Sequence, residues 1–309
     1  MTYEEWIYKW IGSKEKFVKE STFASYSNIL VNHLLPKFGK YDIAQITEDE
    51  IQCYVFELLE NGRLDSRGGL CERATKDIIV VLKNTLKDAI RVKLLPPGIF
   101  EIRFPMTKKD HKLKIISKEV QQRLIQSIYL NLNRKTIGIL LCLYTGLRIG
   151  EVCGLRDRDF NIENQILNIS RTLQRIYKKN LDGSGKSKLI ETTPKSRTSL
   201  REIPISDLLM PVLNRFLEYG SDNYFLSGNS KCIEVRTYRS FFEKFLQNNN
   251  IEKFNFHSLR HTFATRCIES GADCKTVSEL LGHSTVNMTL NLYVHPQMEQ
   301  KRKCINMLT

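Results

Sequence analysis

The segment FNFHSLRHTFATRC, residues 254–267, sets His257, Arg260 and His261 close together just ahead of an apolar stretch. If the segment is helical, spacings of three and four residues put all three side chains on one face. Such a face could hold a metal, bind a phosphate or meet water. His257 and His261 have the i, i+4 spacing of a helical zinc pair, but HSLRH lacks the glutamate of HExxH that would serve as base. Arg260 would also place a fixed positive charge where a cation should sit. These residues argue against a metal, and no cofactor is expected. A phosphate suits them better: Arg260 offers a rigid guanidinium fork, and a neighbouring imidazole can give or take a proton near neutral pH. A lone HxxR is equally the pattern of a solvated helix face, so other segments must decide.

Three do. In LYTGLRIGEVCGL, Arg148 sits in a Gly-bounded turn between two apolar stretches, a setting in which a charged side chain is seldom placed without a partner. Glu151, three residues on, could orient it, or the two could simply staple the turn. LLGHSTVNMTLNLYVH, residues 280–295, puts His283 directly after a glycine where a helix would end, with Tyr293 ten residues later. TPKSRTSLREIPI places Lys195 at the tip of a predicted hairpin loop. Taken singly, each is ordinary, and periodicity alone does not bring them together.

The elements that must position these residues fall into two sets. Residues 1–95 read as a small helical bundle: TYEEWIYKWI with Trp6 and Trp10 on one face, STFASYSNILVNHLLPKFG opening at Ser21 and Thr22 and stopping at Pro36 and Gly39, a segment capped by Thr47, and a long amphipathic helix from Cys71 ended by Pro96-Pro97. Residues 96–111, with three prolines and then a charged run, read as a linker. Residues 112–309 form a second domain that opens with a helix capped by Ser117. One small antiparallel sheet around QILNISRTLQRIYKK and the hairpin follows, then helices to the end. The expected fold class is therefore mainly α with a small antiparallel β-sheet.

Composition narrows the partner. At 309 residues, 41% apolar and 26% charged, the chain can bury two cores and is not a disordered polyelectrolyte. Its longest apolar run, IGILLCLYTGL, is too short to span a bilayer, and MTYEEWIYKW is not a secretory signal. Eight cysteines without a CxxC pair suit reduced thiols in a cytoplasmic protein. Lys and Arg total 47 against 34 acids, a net charge of +13. Residues 1–111 carry 17 basic and 16 acidic side chains and residues 112–309 carry 30 and 18, so +12 of the excess lies in the second domain. That balance suits a polyanion, most often nucleic acid.

TGLRIGE, HSLRHTFAT and LLGHSTVNMTLNLYVH, in that order, resemble the signature of the tyrosine recombinases, the integrase family, and TPKSRTSLREIPI resembles that family's β-hairpin lysine segment. The resemblance covers residues 115–296, with all six catalytic positions filled. It implies a two-domain C-shaped clamp on double-stranded DNA. Residues 1–95 would be the core-type DNA-binding domain, 96–111 the linker, and 112–309 the catalytic domain with a C-terminal tail helix. Arg148 and Arg260 would clamp the scissile phosphate and Tyr293 would attack it, leaving a 3′-phosphotyrosyl link. His257 would act as base, Lys195 as acid to the leaving 5′-oxygen, His283 as a hydrogen-bond partner of the phosphate, and Glu151 as support for Arg148. His261 and Arg266 would be packing or surface residues, His261 supporting the helix from behind. The tail after Tyr293 would pack on a neighbour in a homotetramer assembled on DNA, with accessory bending or directionality proteins as further partners. Many integrases of this kind carry a separate arm-type DNA-binding domain at the N-terminus, which here would be either absent or not included in the sequence. The long hairpin segment 166–205 looks more like integrases of mobile elements than Xer-type dimer resolvases, which stand as the alternative. A catalytically silent regulator on the same fold, or a type IB topoisomerase, are the other readings.

Overall fold

The structure, a computed structural model, describes residues 1–105, 115–192, 200–293 and positions 302, 305 and 306, with backbone alone for 291–293. The chain divides into two units, one of Met1–Asp110 with Ile176–Lys188 and one of His111–Arg175 with Leu189–Thr309.

In the first unit, helix α1 (Tyr3–Lys14) opens on a capping box between Thr2 and Glu5. Its face carries Trp6 and Trp10 inward, where their indole N–H groups donate to the Thr85 carbonyl (3.0 Å) and to the Asp88 carboxylate (2.8 Å). Helix α2 (Glu20–Ile29) continues through a π turn (Leu30–Leu34) into α3 (Leu35–Phe38), so Pro36 sits in the first turn of the last segment, where its missing N–H costs little. The helix starts at Glu20 with Lys19 as an uncapped N-cap; Ser21 and Thr22 lie inside its first turn, not at the cap position expected of them. Helices α4 (Glu48–Asn61), capped by Thr47, and α5 (Glu72–Arg91) complete the bundle. Helix α5 stops ahead of the Pro96-Pro97 pair because Lys93 turns left-handed (φ 62°) and the Leu94 N–H returns to the Ala89 carbonyl. Beyond it, the Gln52 amide pairs with both backbone groups of Arg103 (2.9 and 3.0 Å), so residues ahead of position 105 are fastened to α4. Residues 176–188 group with this unit, whereas the sequence placed all of 112–309 together. Asn28 pairs its amide with the Tyr177 carbonyl (2.6 Å) and the Lys179 N–H (3.1 Å).

The second unit begins with α6 (Lys118–Leu130), capped by Ser117, and α7 (Arg134–Thr145), whose capping box is closed by Asn133 and Thr136. Helix α7 is the apolar run of the sequence and is buried on nearly every side, from Thr136 to Leu143. A short α8 (Ile149–Gly154) follows. The strands are β1 (Phe160–Asn161), β2 (Ile166–Ile169), β3 (Thr172–Lys179), β4 (Gly185–Thr192) and β5 (Arg201–Pro204). They form two sheets, not the single one expected: an antiparallel β1-β2-β5 sheet, with Leu167 opposite Ile203, and a β3-β4 pair. Helices α9 (Met210–Phe216), α10 (Val235–Asn248), α11 (His257–Glu269), α12 (Cys274–Leu281) and α13 (Val286–Tyr293) end the unit. Leu140, Leu147, Phe225, Tyr238, Phe242 and Leu259 sit in one apolar core that joins α7, α10 and the start of α11. Each such side chain adds about 1.5–3 kcal/mol of transfer free energy, which anchors the helix starts that carry the charged residues. Among the described residues no helix is long and apolar enough to cross a membrane.

Candidate active site

Helix α7 must stop abruptly, and Gly146 stops it. Its φ of +66° is left-handed, and a Cβ there would lie 2.6 Å from Phe263 and 2.7 Å from Leu281, so neither the turn nor the packing admits another residue. The turn delivers Arg148 to the N-cap of α8. Glu151 answers it: one carboxylate oxygen accepts from the Arg148 backbone N–H (2.9 Å) and the other from its guanidinium Nη1 (2.8 Å). Glu151 is 2% exposed. Burial pushes its carboxyl up, but the guanidinium groups of Arg201 and Arg148 outweigh that and hold it below the usual carboxylate range, so it is ionised at neutral pH. The stapling and orienting readings of the Arg148–Glu151 pair are thus one arrangement.

The segment 254–267 is helical from His257, and Asn255 caps it by accepting from the Ser258 N–H (2.9 Å). Arg260 points inward and is 2% exposed. Its Nη1 donates to the Gly146 carbonyl and its Nη2 to the Leu281 carbonyl, both at 2.7 Å. His257 and His261 meet edge to face with ring centroids 4.5 Å apart, so His261 stands beside the first histidine and not behind the helix. Arg266 reaches the Ile116 carbonyl (3.0 Å) and Glu269 (2.6 Å) and plays a packing part.

Helix α12 supplies the third piece. Gly282 ends it in the left-handed region (φ 64°), which turns the chain so that His283 follows, 8% exposed, with its Nδ1 2.9 Å from the Thr289 hydroxyl. The final carbonyls of α12 and its cap each accept from a different arginine: Leu280 from Arg201 Nε (2.7 Å), Leu281 from Arg260, and Gly282 from Arg148 Nη2 (3.1 Å). The negative end of a helix favours cations there. Arg201, at the head of β5, also forks onto both oxygens of Glu151 (3.0 and 3.1 Å). The sequence reading missed Arg201; its one signal was an arginine opening the otherwise apolar strand REIPI.

The field of these cations reaches both histidines. Loss of water from the protein-facing side of the ring, then the charges of His261, Arg260 and Arg148, lowers the His257 pKa to about 4. Burial, then Arg260, Arg148 and Arg201, lowers that of His283 to about 4. Both rings are neutral at pH 7 in the free protein. Arg148, His257, Arg260 and His283, with Glu151 beside Arg148, are therefore gathered into one basic cluster. Tyr293 closes the backbone of α13, but its side chain lies outside the described residues, as do Lys195 and most of the tail after Tyr293. Among the described residues no cluster of His, Cys, Asp and Glu is placed to hold a metal ion.

The profile of the Phage integrase family matches residues 114–300, more than half of the chain, and that of the phage integrase N-terminal SAM-like domain matches residues 2–59. The chain belongs to the phage integrase family. By family it is a tyrosine recombinase, a group whose members cut and rejoin DNA. The recombinase is similar to the ICEBs1 integrase of Bacillus subtilis, 25% identical over 307 residues that cover 93% of this chain and 77% of the relative. It is also similar to a XerC-like tyrosine recombinase of Caldanaerobacter subterraneus, 28% identical over 235 residues. That match covers 70% of this chain and spans 58% of the relative's length. In fold it resembles the Tn1549 transposon integrase solved with a circular intermediate DNA, with a TM-score of 0.77, 21% identity and complete coverage of both chains.

Proposed function

We propose that this recombinase integrates or excises a mobile element, cutting double-stranded DNA attachment sites through a 3′-phosphotyrosyl intermediate on Tyr293. The observation that carries the reading is the convergence of Arg148 and Arg260 on neighbouring carbonyls beside two neutral imidazoles. Two preorganised guanidinium groups stabilise the negative charge that phosphoryl attack places on the non-bridging oxygens. Arg148, whose side chain is 37% exposed, meets the phosphate openly, and Arg260 acts as a fixed charge beside it. Tyr293 stands four positions after Thr289, the partner of His283, on the same helix.

In the step itself the tyrosyl oxygen bonds to phosphorus, and its proton passes to neutral His257. The bond from phosphorus to the 5′-oxygen breaks, and that oxygen takes a proton from Lys195. His283 donates to the phosphate, and Glu151 keeps Arg148 in place. A tyrosine with an ordinary pKa near ~10 is protonated at pH 7, which is why the neutral base matters. The covalent link conserves the phosphodiester's energy, so a 5′-hydroxyl from a second duplex can reverse the attack and complete the exchange. The domain roles follow: a helical DNA-binding domain over residues 1–95, a linker over 96–111 and a catalytic domain over 112–309. The chain would assemble as a homotetramer on DNA with accessory bending or directionality proteins, in the cytoplasm. The ICEBs1 integrase match, which runs nearly the length of this chain, favours the mobile-element reading. The XerC-like relative supports the alternative, a dimer resolvase.

Nicked suicide duplexes tiling the DNA that flanks the gene test this reading, with wild type and Tyr293→Phe side by side in EDTA. A covalent protein–DNA band that requires Tyr293 is expected. Duplexes that are bound and bent without any such band would transfer the chain to the silent-regulator reading, and relaxed supercoils without joined products to the topoisomerase one.

A further inference from the structure

Glu151 is buried between two arginines, and the pairing is unequal. Arg201 forks onto both of its oxygens, whereas Arg148 reaches it with one guanidinium nitrogen and gives the other to Gly282. The Arg201 side chain is 6% exposed, so it has no direct route to a substrate in solvent. Its Nε also donates to the Leu280 carbonyl, which ties β5 to the end of α12, two residues before Gly282.

We propose that Arg201 is a positioning residue that neutralises Glu151, leaving the positive charge of Arg148 for the DNA phosphate, and that couples strand β5 to the loop carrying His283. This rests on the phosphate-clamp reading above. The argument is one of charge. Glu151 is needed to hold the Arg148 turn, through its bond to the Arg148 N–H. Alone with Arg148 it would form a neutral pair and would draw the guanidinium into a full fork, away from Gly282 and the phosphate. With Arg201 on its other side the carboxylate is already matched, and Arg148 can orient on Glu151 without being cancelled by it. The same contact gives β5 a fixed tie to α12.

The experiment is the suicide-duplex assay, run with wild type, Tyr293→Phe, Arg201→Gln, Arg201→Lys, Glu151→Gln and the Glu151→Gln/Arg201→Gln pair. Duplex affinity and thermal unfolding are measured on the same samples. Arg201→Gln should slow covalent-complex formation by about 10²-fold, the scale of losing one preorganised transition-state contact, while duplex affinity stays within about twofold because non-specific phosphate contacts dominate it. Arg201→Lys keeps the offsetting charge and should recover most of the rate. The double variant removes both buried charges and should exceed Arg201→Gln by about tenfold or more, a coupling between neighbours that a merely structural role would not produce. An Arg201→Gln rate equal to wild type, or no gain in either rescue variant, overturns the proposal. Should Arg201→Gln fail to fold, the double variant and Arg201→Lys decide: both near wild type sustain it, and either at the Tyr293→Phe background overturns it. A wild type that itself gives no Tyr293-dependent band refutes the phosphate-clamp reading and this proposal with it.

Discussion

The depressed pKa of His283 makes the second unit sensitive to acid in a way that can be calculated. In the folded chain the ring titrates near about 4, against an ordinary value of 6.5, because it is buried among Arg260, Arg148 and Arg201. The unfolded chain therefore binds a proton that the folded chain refuses, and stability falls as pH drops from 6.5 through 4. Linkage puts the loss from this group at about 2 kcal/mol between pH 7.5 and 5, and at about 3 kcal/mol by pH 4. His283→Asn removes the titration while leaving an amide to pair with Thr289. Urea unfolding followed by far-UV circular dichroism, at pH 7.5, 6 and 5, measures both proteins. Both tryptophans, Trp6 and Trp10, lie in the first unit, so fluorescence marks that unit's transition and separates it from the second. The variant should be flatter in pH than wild type by about 2 kcal/mol over that range, whatever its stability at pH 7.5. The other histidines titrate in both proteins and cancel from the difference. Identical pH slopes would refute the placement of His283 in the arginine field.

Two further outcomes follow from burial and charge. Arg260→Ala leaves the Gly146 and Leu281 carbonyls without their buried donor and opens a cavity, so it should cost about 3–5 kcal/mol in denaturant unfolding. Arg148→Ala, at a partly exposed side chain, should cost less than half as much; equal costs would contradict the assigned burial. Binding of the recombinase to duplex DNA should weaken steeply with salt, with a slope of log K against log salt of about −5 or steeper if some six phosphates are neutralised. A slope near −1 by fluorescence anisotropy would show that the +12 of residues 112–309 does not face the duplex.

The charged motifs were legible because they break local expectation: an arginine in a Gly-bounded apolar turn, a histidine behind a helix-ending glycine. The helix starts read at Thr47 and Ser117 are side chains that accept their own first-turn N–H groups, and Thr2 and Asp273, which were not read as caps, do the same. What was not legible is long-range. QILNISRTLQRIYKK has β-type alternation, yet β2 and β3 separate at Ser170-Arg171, where Arg171 turns to the Asp159 carboxylate (2.5 Å). Alternation states which residues face which way and not which strand lies alongside. The Arg260 acceptors are backbone carbonyls 114 and 21 residues away, and no side-chain pattern records a carbonyl. Arg201 escaped for the same reason, since its role is defined by Glu151, 50 residues earlier.

Those carbonyl partners set the charge of the site. Arg148, Arg201 and Arg260 bring three positive charges, Glu151 brings one negative charge, and His257 and His283 are neutral at pH 7, which leaves a net +2 around the proposed phosphate position. Had acids and not carbonyls held Arg260 and Arg148 Nη2, the same geometry would have been neutral. A phosphodiester carries one negative charge, and attack by a tyrosyl oxygen that has lost its proton to His257 brings the five-coordinate phosphorus to two. The proton taken by His257 adds to the +2 field as the charge on phosphorus grows, so the attraction is stronger in the transition state than in the ground state, which is the condition for binding energy to accelerate the step. The orientation has no reorganisation left to do when DNA arrives, because folding of α12 has already fixed all three guanidinium groups on its last carbonyls. On that account, the catalytic charge of this recombinase is set as much by the uncharged end of one short helix as by the side chains that the sequence displays.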